Sequence, residues 1–79
     1  MKKIKIYSTP SCVYCKKAKE FFRAQNIQYE EVNVAEDEAA LREMMEKSHQ
    51  MGVPVIDIEG EILVGYDQRR LMHALGISA

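Results

Sequence analysis

Two hydrophobic periods alternate along this chain in a set order, and that order limits the folds open to it. Residues 3–8 (Lys-Ile-Lys-Ile-Tyr-Ser) alternate polar and apolar side chains, the period of two that a strand requires. Thr9-Pro10-Ser11 then breaks the pattern with turn formers. From about residue 12 to 25 the spacing becomes helical. Cys15, Ala18, Phe22 and Gln25 share one stripe, and Lys16, Lys17, Lys19, Glu20 and Arg23 occupy the rest. Asn26 suits a left-handed stop. Residues 29–34 read as a second strand and about 37–47 as a second helix. Leu41, Met44 and Met45 form the apolar stripe of that helix, with both methionines expected to fill gaps in the core. Gly52-Val53-Pro54 follows. Two β-rich runs, 55–58 and 61–64, flank Glu59-Gly60 and predict a hairpin. Asp67 is then a good N-cap for a last helix that ends at Leu75, with Gly76 as its stop.

The predicted order is β-α-β-α-β-β-α. A β-α-β unit places its strands parallel with a right-handed crossover, and the closing hairpin adds an antiparallel pair. The fold class expected is therefore α/β, a mixed four-stranded sheet with helices on both faces. At 79 residues the chain has room for a single domain spanning 1–79.

Composition removes several classes of function. Eleven Lys+Arg stand against twelve Asp+Glu, for a net charge of −1, so no basic field is available to hold a nucleic-acid backbone. No apolar run approaches 18 residues, which excludes a spanning helix, and lysines interrupt the first nine residues too often for a signal peptide. A cytoplasmic location and a monomer without a membrane partner are expected.

The two cysteines, Cys12 and Cys15, are spaced C-x-x-C. A disulfide across so short a loop removes little unfolded-chain entropy, so the pair is better explained by chemistry than by stability. It falls where the first strand hands over to the first helix. There the unpaired N–H groups and the positive end of the helix dipole favour a thiolate over a thiol. Cys12 is expected to be the exposed sulfur, and Cys15, nearly one turn on, to point into the body of the protein. Lys16, Lys17 and Lys19 add positive charge nearby. A structural zinc site would need four ligands. His49 and His73, on different predicted helices, lack the spacing to complete one, and each reads as a surface or boundary residue. No metal ligand set is expected.

The run Tyr7-Ser8-Thr9-Pro10-Ser11-Cys12-Val13-Tyr14-Cys15, the later Gly52-Val53-Pro54, and Gly65-Tyr66-Asp67 resemble the glutaredoxin branch of the thioredoxin superfamily. The likeness covers nearly the whole chain and is nearest to the short glutaredoxin-like proteins and the redoxins that serve ribonucleotide reductase. It implies a thioredoxin-like fold in which Pro54 is cis and sits against the Cys12–Cys15 pair. The Val53 backbone would then pair with the extended backbone of a bound peptide or of glutathione. The activity implied is dithiol thiol–disulfide exchange, with Cys12 and Cys15 reducing protein disulfides or glutathione mixed disulfides. Tyr14, Val53, Pro54, Gly65, Tyr66 and Asp67 would contact the substrate.

No tightly bound cofactor is implied. Glutathione is a candidate co-substrate, and either glutathione or a thioredoxin-reductase-like flavoprotein would serve as reductant. The chain departs from the family pattern in three places. Val13 stands where C-P-Y-C has proline, Thr9 where a Lys or Arg is common, and Val64-Gly65-Tyr66-Asp67-Gln68 where G-G-x-D-D is usual. Asp67 suits both an ammonium group and the cap of the last helix. Two alternatives stay open, a glutathione-bridged iron–sulfur carrier built from two chains and a binding module on the same fold without turnover.

Overall fold

A computed structural model describes residues 3–77 of the chain. The elements run β1 (Ile4–Ser8), α1 (Val13–Ala24), β2 (Glu30–Asn33), α2 (Glu38–Ser48), β3 (Val55–Ile58), β4 (Glu61–Val64) and α3 (Gln68–Leu75). They form one four-stranded sheet in the order β2-β1-β3-β4. β1 pairs parallel with β2 and antiparallel with β3, and β3 pairs antiparallel with β4. This is the predicted mixed sheet, in the predicted order of elements. No helix among the described residues is long and apolar enough to cross a membrane.

Alternation along β1 explains why helices cover both faces. Ile4 and Ile6 point to one side, where they pack with Ala18, Phe21 and Phe22 of α1, Ile56, Ile58 and Leu63 of the hairpin, and Leu71 and Ala74 of α3. Tyr7 points to the other side and meets Val34, Val55, and Ala40 and Met44 of α2. The first cluster is the larger. It fixes the middle and end of α1 to the sheet through Ala18, Phe21 and Phe22.

Local chemistry sets each boundary. Asp37 caps α2 by accepting the Ala40 N–H at 3.0 Å, and Asp67 caps α3 by accepting from Arg69 and Arg70 N–H at 3.0 and 3.3 Å. Asn26 takes a φ of 56°, as expected of a left-handed stop, but α1 ends at Ala24, so Gln25 is its exposed C-cap and not a core residue. Glu59 and Gly60, at φ 49° and 97°, form the tight hairpin turn, and Gly60 N–H donates to Asp57 Oδ1 at 2.7 Å. Met45 differs from expectation. The face of α2 turned to the sheet is Ala40 and Met44, and Met45 lies to one side of it, 37% exposed.

Between α2 and the sheet lies a polar network that no periodicity announces. The Tyr7 hydroxyl donates to Glu43 Oε1 at 2.6 Å. Lys47 Nζ donates to the Tyr7 oxygen at 2.8 Å and to Asp57 Oδ2 at 2.7 Å, and Lys5 Nζ donates to Glu43 Oε1 at 3.2 Å. The Tyr7 hydroxyl, then Lys47 and Lys5, hold the Glu43 carboxyl down at about 2. Every buried side-chain polar atom among the described residues has a partner.

Candidate active site

β1 ends at Ser8, and Thr9-Pro10-Ser11 turn the chain so that Cys12 N–H donates back to the Thr9 carbonyl at 3.3 Å. Cys12 is the N-cap of α1, with extended backbone angles (φ −81°, ψ 114°). Its sulfur occupies the place of a capping oxygen. It accepts the Cys15 N–H at 3.1 Å, one of the amides that a helix start leaves without an internal partner. No acidic residue sits in the first turn of α1 to compete for the positive helix end. Cys12 is half-buried and Cys15 is 1% exposed, as the position of each in the helix predicts.

That burial decides the chemistry of the second sulfur. It pushes the Cys15 thiol up to about 12, and the neighbouring Cys12 side chain adds to the rise. A backbone hydrogen bond with Thr9 and the charge of Lys19 pull the other way. Cys15 therefore keeps its proton at neutral pH. Lys19, one turn beyond Cys15, pairs with Glu31 at 2.8 Å, and Glu31 also accepts from the buried Ser8 hydroxyl at 2.9 Å. Lys19, first among the causes, draws the Glu31 carboxyl below its ordinary range. Glu31, exposed on β2, is thus tied across β1 to α1.

The Val53–Pro54 peptide is cis, and the Val53 carbonyl lies 3.8 Å from Cys12 Sγ. Pro54 is buried, and its carbonyl accepts the Gly65 N–H at 2.8 Å. Cys12, Cys15, Val53, Pro54 and Gly65 are thus brought into one continuous set of contacts. Tyr66 is half-buried against the larger core cluster. Asp67 spends its carboxylate on the α3 cap, which leaves it exposed beside that helix start. Tyr14, 58% exposed, stands next to Cys15 with Lys17 Nζ 5.4 Å above its ring. Val13 and Met51 are exposed still further, at 62% and 64%. His49 and His73 are both exposed, and no group of three or more His, Cys, Asp or Glu able to hold a metal ion occurs among the described residues.

A half-exposed sulfur on a helix N-cap, with a second sulfur one turn behind it and a carbonyl in front, is suited to nucleophilic exchange at a disulfide. The contact of Ser8 with Glu31 escapes sequence reading because the two lie 23 residues apart. For Lys19 alone a signal existed, its i+4 spacing from Cys15.

Comparison with known proteins agrees with this geometry. The family model described as glutaredoxin matches residues 4–63. The chain is 50% identical over 68 residues to an uncharacterized glutaredoxin-like 8.6 kDa protein in the rubredoxin operon of Clostridium pasteurianum, covering 86% of this chain and 91% of that one. It superposes on the crystal structure of a point mutant of the thioredoxin-like protein BC3987 with a TM-score of 0.90 and 35% identity, covering 99% and 100% of the two chains. The fold also matches the glutaredoxin-like NrdH-redoxin from Escherichia coli, with a TM-score of 0.82, 20% identity, and 90% and 92% coverage.

Proposed function

The chain belongs to the glutaredoxin family, and on that premise we propose that it is a dithiol thiol–disulfide oxidoreductase whose working groups are Cys12 and Cys15. The observation that carries this reading is the Cys12 sulfur on the N-cap of α1, bonded to the Cys15 N–H at 3.1 Å and facing the Val53 carbonyl at 3.8 Å.

In the reduced protein the Cys12 thiolate attacks one sulfur of a substrate disulfide. That S–S bond breaks, the distal sulfur leaves and takes up a proton, and a mixed disulfide joins Cys12 to the remaining half. Cys15 then gives up its proton and attacks Cys12 Sγ. The second substrate thiol is released, and the Cys12–Cys15 disulfide holds the two oxidising equivalents. The order of attack follows from environment. Cys15 is buried and keeps its proton, so it cannot be the first nucleophile, while its position one turn behind Cys12 suits the second step.

Two molecules of glutathione, or a thioredoxin-reductase-like flavoprotein, return the electrons. Val53, Pro54 and Gly65 would line the path of the substrate main chain, with Tyr14, Tyr66 and Asp67 at its margins. The protein works as a monomer in this scheme, because β2, one free edge of the sheet, carries exposed Glu30 and Glu31 that oppose pairing with a second copy.

The test has two arms. Iodoacetamide should alkylate Cys12 at pH 6 much faster than a free thiol, and Cys12→Ser should abolish turnover of both protein disulfides and glutathione mixed disulfides. Full activity in Cys12→Ser would refute the reading. Comparing reduction of the oxidised protein by glutathione and by a thioredoxin reductase then identifies the electron donor.

A further inference from the structure

Between the left-handed cap of α2 at His49 and the start of β3, the chain enters no ladder, so its backbone groups need other partners. The Gln50 side chain supplies them. Its Oε1 accepts the Gly52 N–H at 2.5 Å, and its Nε2 donates to the Gly52 carbonyl at 3.1 Å. One amide thereby holds both polar groups of a single residue. Nε2 also donates to Ser48 Oγ at 3.1 Å, and that hydroxyl donates to the Met44 carbonyl at 2.7 Å, tying the loop to the last turn of α2. The absence of a side chain at position 52 makes this clamp fit. A Cβ there would stand 2.7 Å from Gln50 Oε1.

The residue that follows the clamp is Val53, which belongs to no strand and whose carbonyl faces Cys12 Sγ. With both polar groups of Gly52 already engaged, a visiting main chain meets Val53, not Gly52, as its pairing station. The side chain between the two clamped positions, Met51, is turned out to solvent.

We infer that Gln50 is a positioning residue for the exchange reaction: its clamp on Gly52 holds the Val53 backbone in a single register for an extended, disulfide-bearing peptide and presents Met51 to that peptide. The inference rests on the oxidoreductase reading above and adds the register device to it. An ordered loop binds an extended chain without first having to become ordered, so the clamp acts on binding rather than on the sulfur chemistry.

Two variants of the full chain test it. Gln50→Ala removes the amide, and Gly52→Ala displaces it by crowding Oε1, a flexible side-chain end that can move without disturbing the fold. The substrates are a hexapeptide bearing a glutathione mixed disulfide on a central cysteine, and bis(2-hydroxyethyl) disulfide, which has no peptide backbone. In both variants KM for the peptide should rise about tenfold with kcat within about twofold, the loss of roughly one good hydrogen-bonding contact. The double variant should be no worse than either single one, since both changes remove the same clamp.

The rate with bis(2-hydroxyethyl) disulfide and the alkylation rate of Cys12 should not change. An unchanged peptide KM would overturn the inference, and so would an equal loss on both disulfides, which would mark Gln50 as a support for the fold alone. A wild-type Cys12 that alkylates no faster than a free thiol would instead refute the oxidoreductase reading itself.

Discussion

Glu43→Gln isolates the charge at the centre of the network that fastens α2 to the sheet. The carboxylate accepts from the Tyr7 hydroxyl at 2.6 Å and lies 3.0 and 3.2 Å from the Lys47 and Lys5 ammonium groups. These partners take its carboxyl from an ordinary 4.5 to about 2. A difference of that size would be worth about 3 kcal/mol for a group shielded from water. Glu43 is 40% exposed, so screening reduces the figure to about 1 kcal/mol. Because the folded value lies below the unfolded one, this stability is fully present above about pH 5 and fades as pH falls toward 2. At pH 3 less than about half of it remains. Thermal melts followed by circular dichroism should therefore place Glu43→Gln about 4–8 °C below wild type at pH 7. The gap should close by more than half at pH 3. An equal gap at both pH values would refute the reasoning, because the loss would then come from shape and not from charge.

Three further outcomes follow from the same structure. Asp67→Ala should cost about 1 kcal/mol of stability through the lost α3 cap, while Asp67→Ser should restore it; a raised KM for glutathione mixed disulfides in Asp67→Ser would show that the carboxylate also meets the substrate. Phe22→Ala empties a fully buried site between α1 and the sheet and should cost about 3–5 kcal/mol in urea unfolding. In the reduced native protein, mass spectrometry after iodoacetamide at pH 8 should find label on Cys12 and almost none on Cys15, because burial keeps the second thiol protonated up to about 12. Equal labelling of the two would contradict the order of attack.

What the sequence disclosed and what it hid divide along a physical line. Features carried by near neighbours were legible. The period-two run before Thr9, the turn pair Glu59-Gly60, the cap Asp67 and the stop Gly76 each act within four residues, and each stands where it was expected. The errors sit where a local pattern was continued too far. Gln25 completed a helical stripe on paper, but Asn26 ends the helix first, and Met45 shared a stripe with Met44 that α2 turns only partly inward. Apart from the i,i+4 pair of Glu43 and Lys47, the Tyr7–Glu43–Lys47–Asp57 network and the tie from Lys19 to Glu31 join residues 10 to 40 positions apart, beyond the reach of a local pattern. Gln50 escaped for a different reason. Its partner is only two residues away, but a glutamine in a loop has no periodic signature until its amide is seen folded back on Gly52.

The dipeptide between the two sulfurs is almost wholly outside the core. Val13 and Tyr14 face solvent while Cys15 and Ala18 beneath them are sealed. A mutation at either position therefore alters the surroundings of the reactive pair with hardly any penalty in folding. Under the proposed exchange reaction, substitutions at these two positions would reset how readily the pair gives up electrons while the scaffold below remains the same.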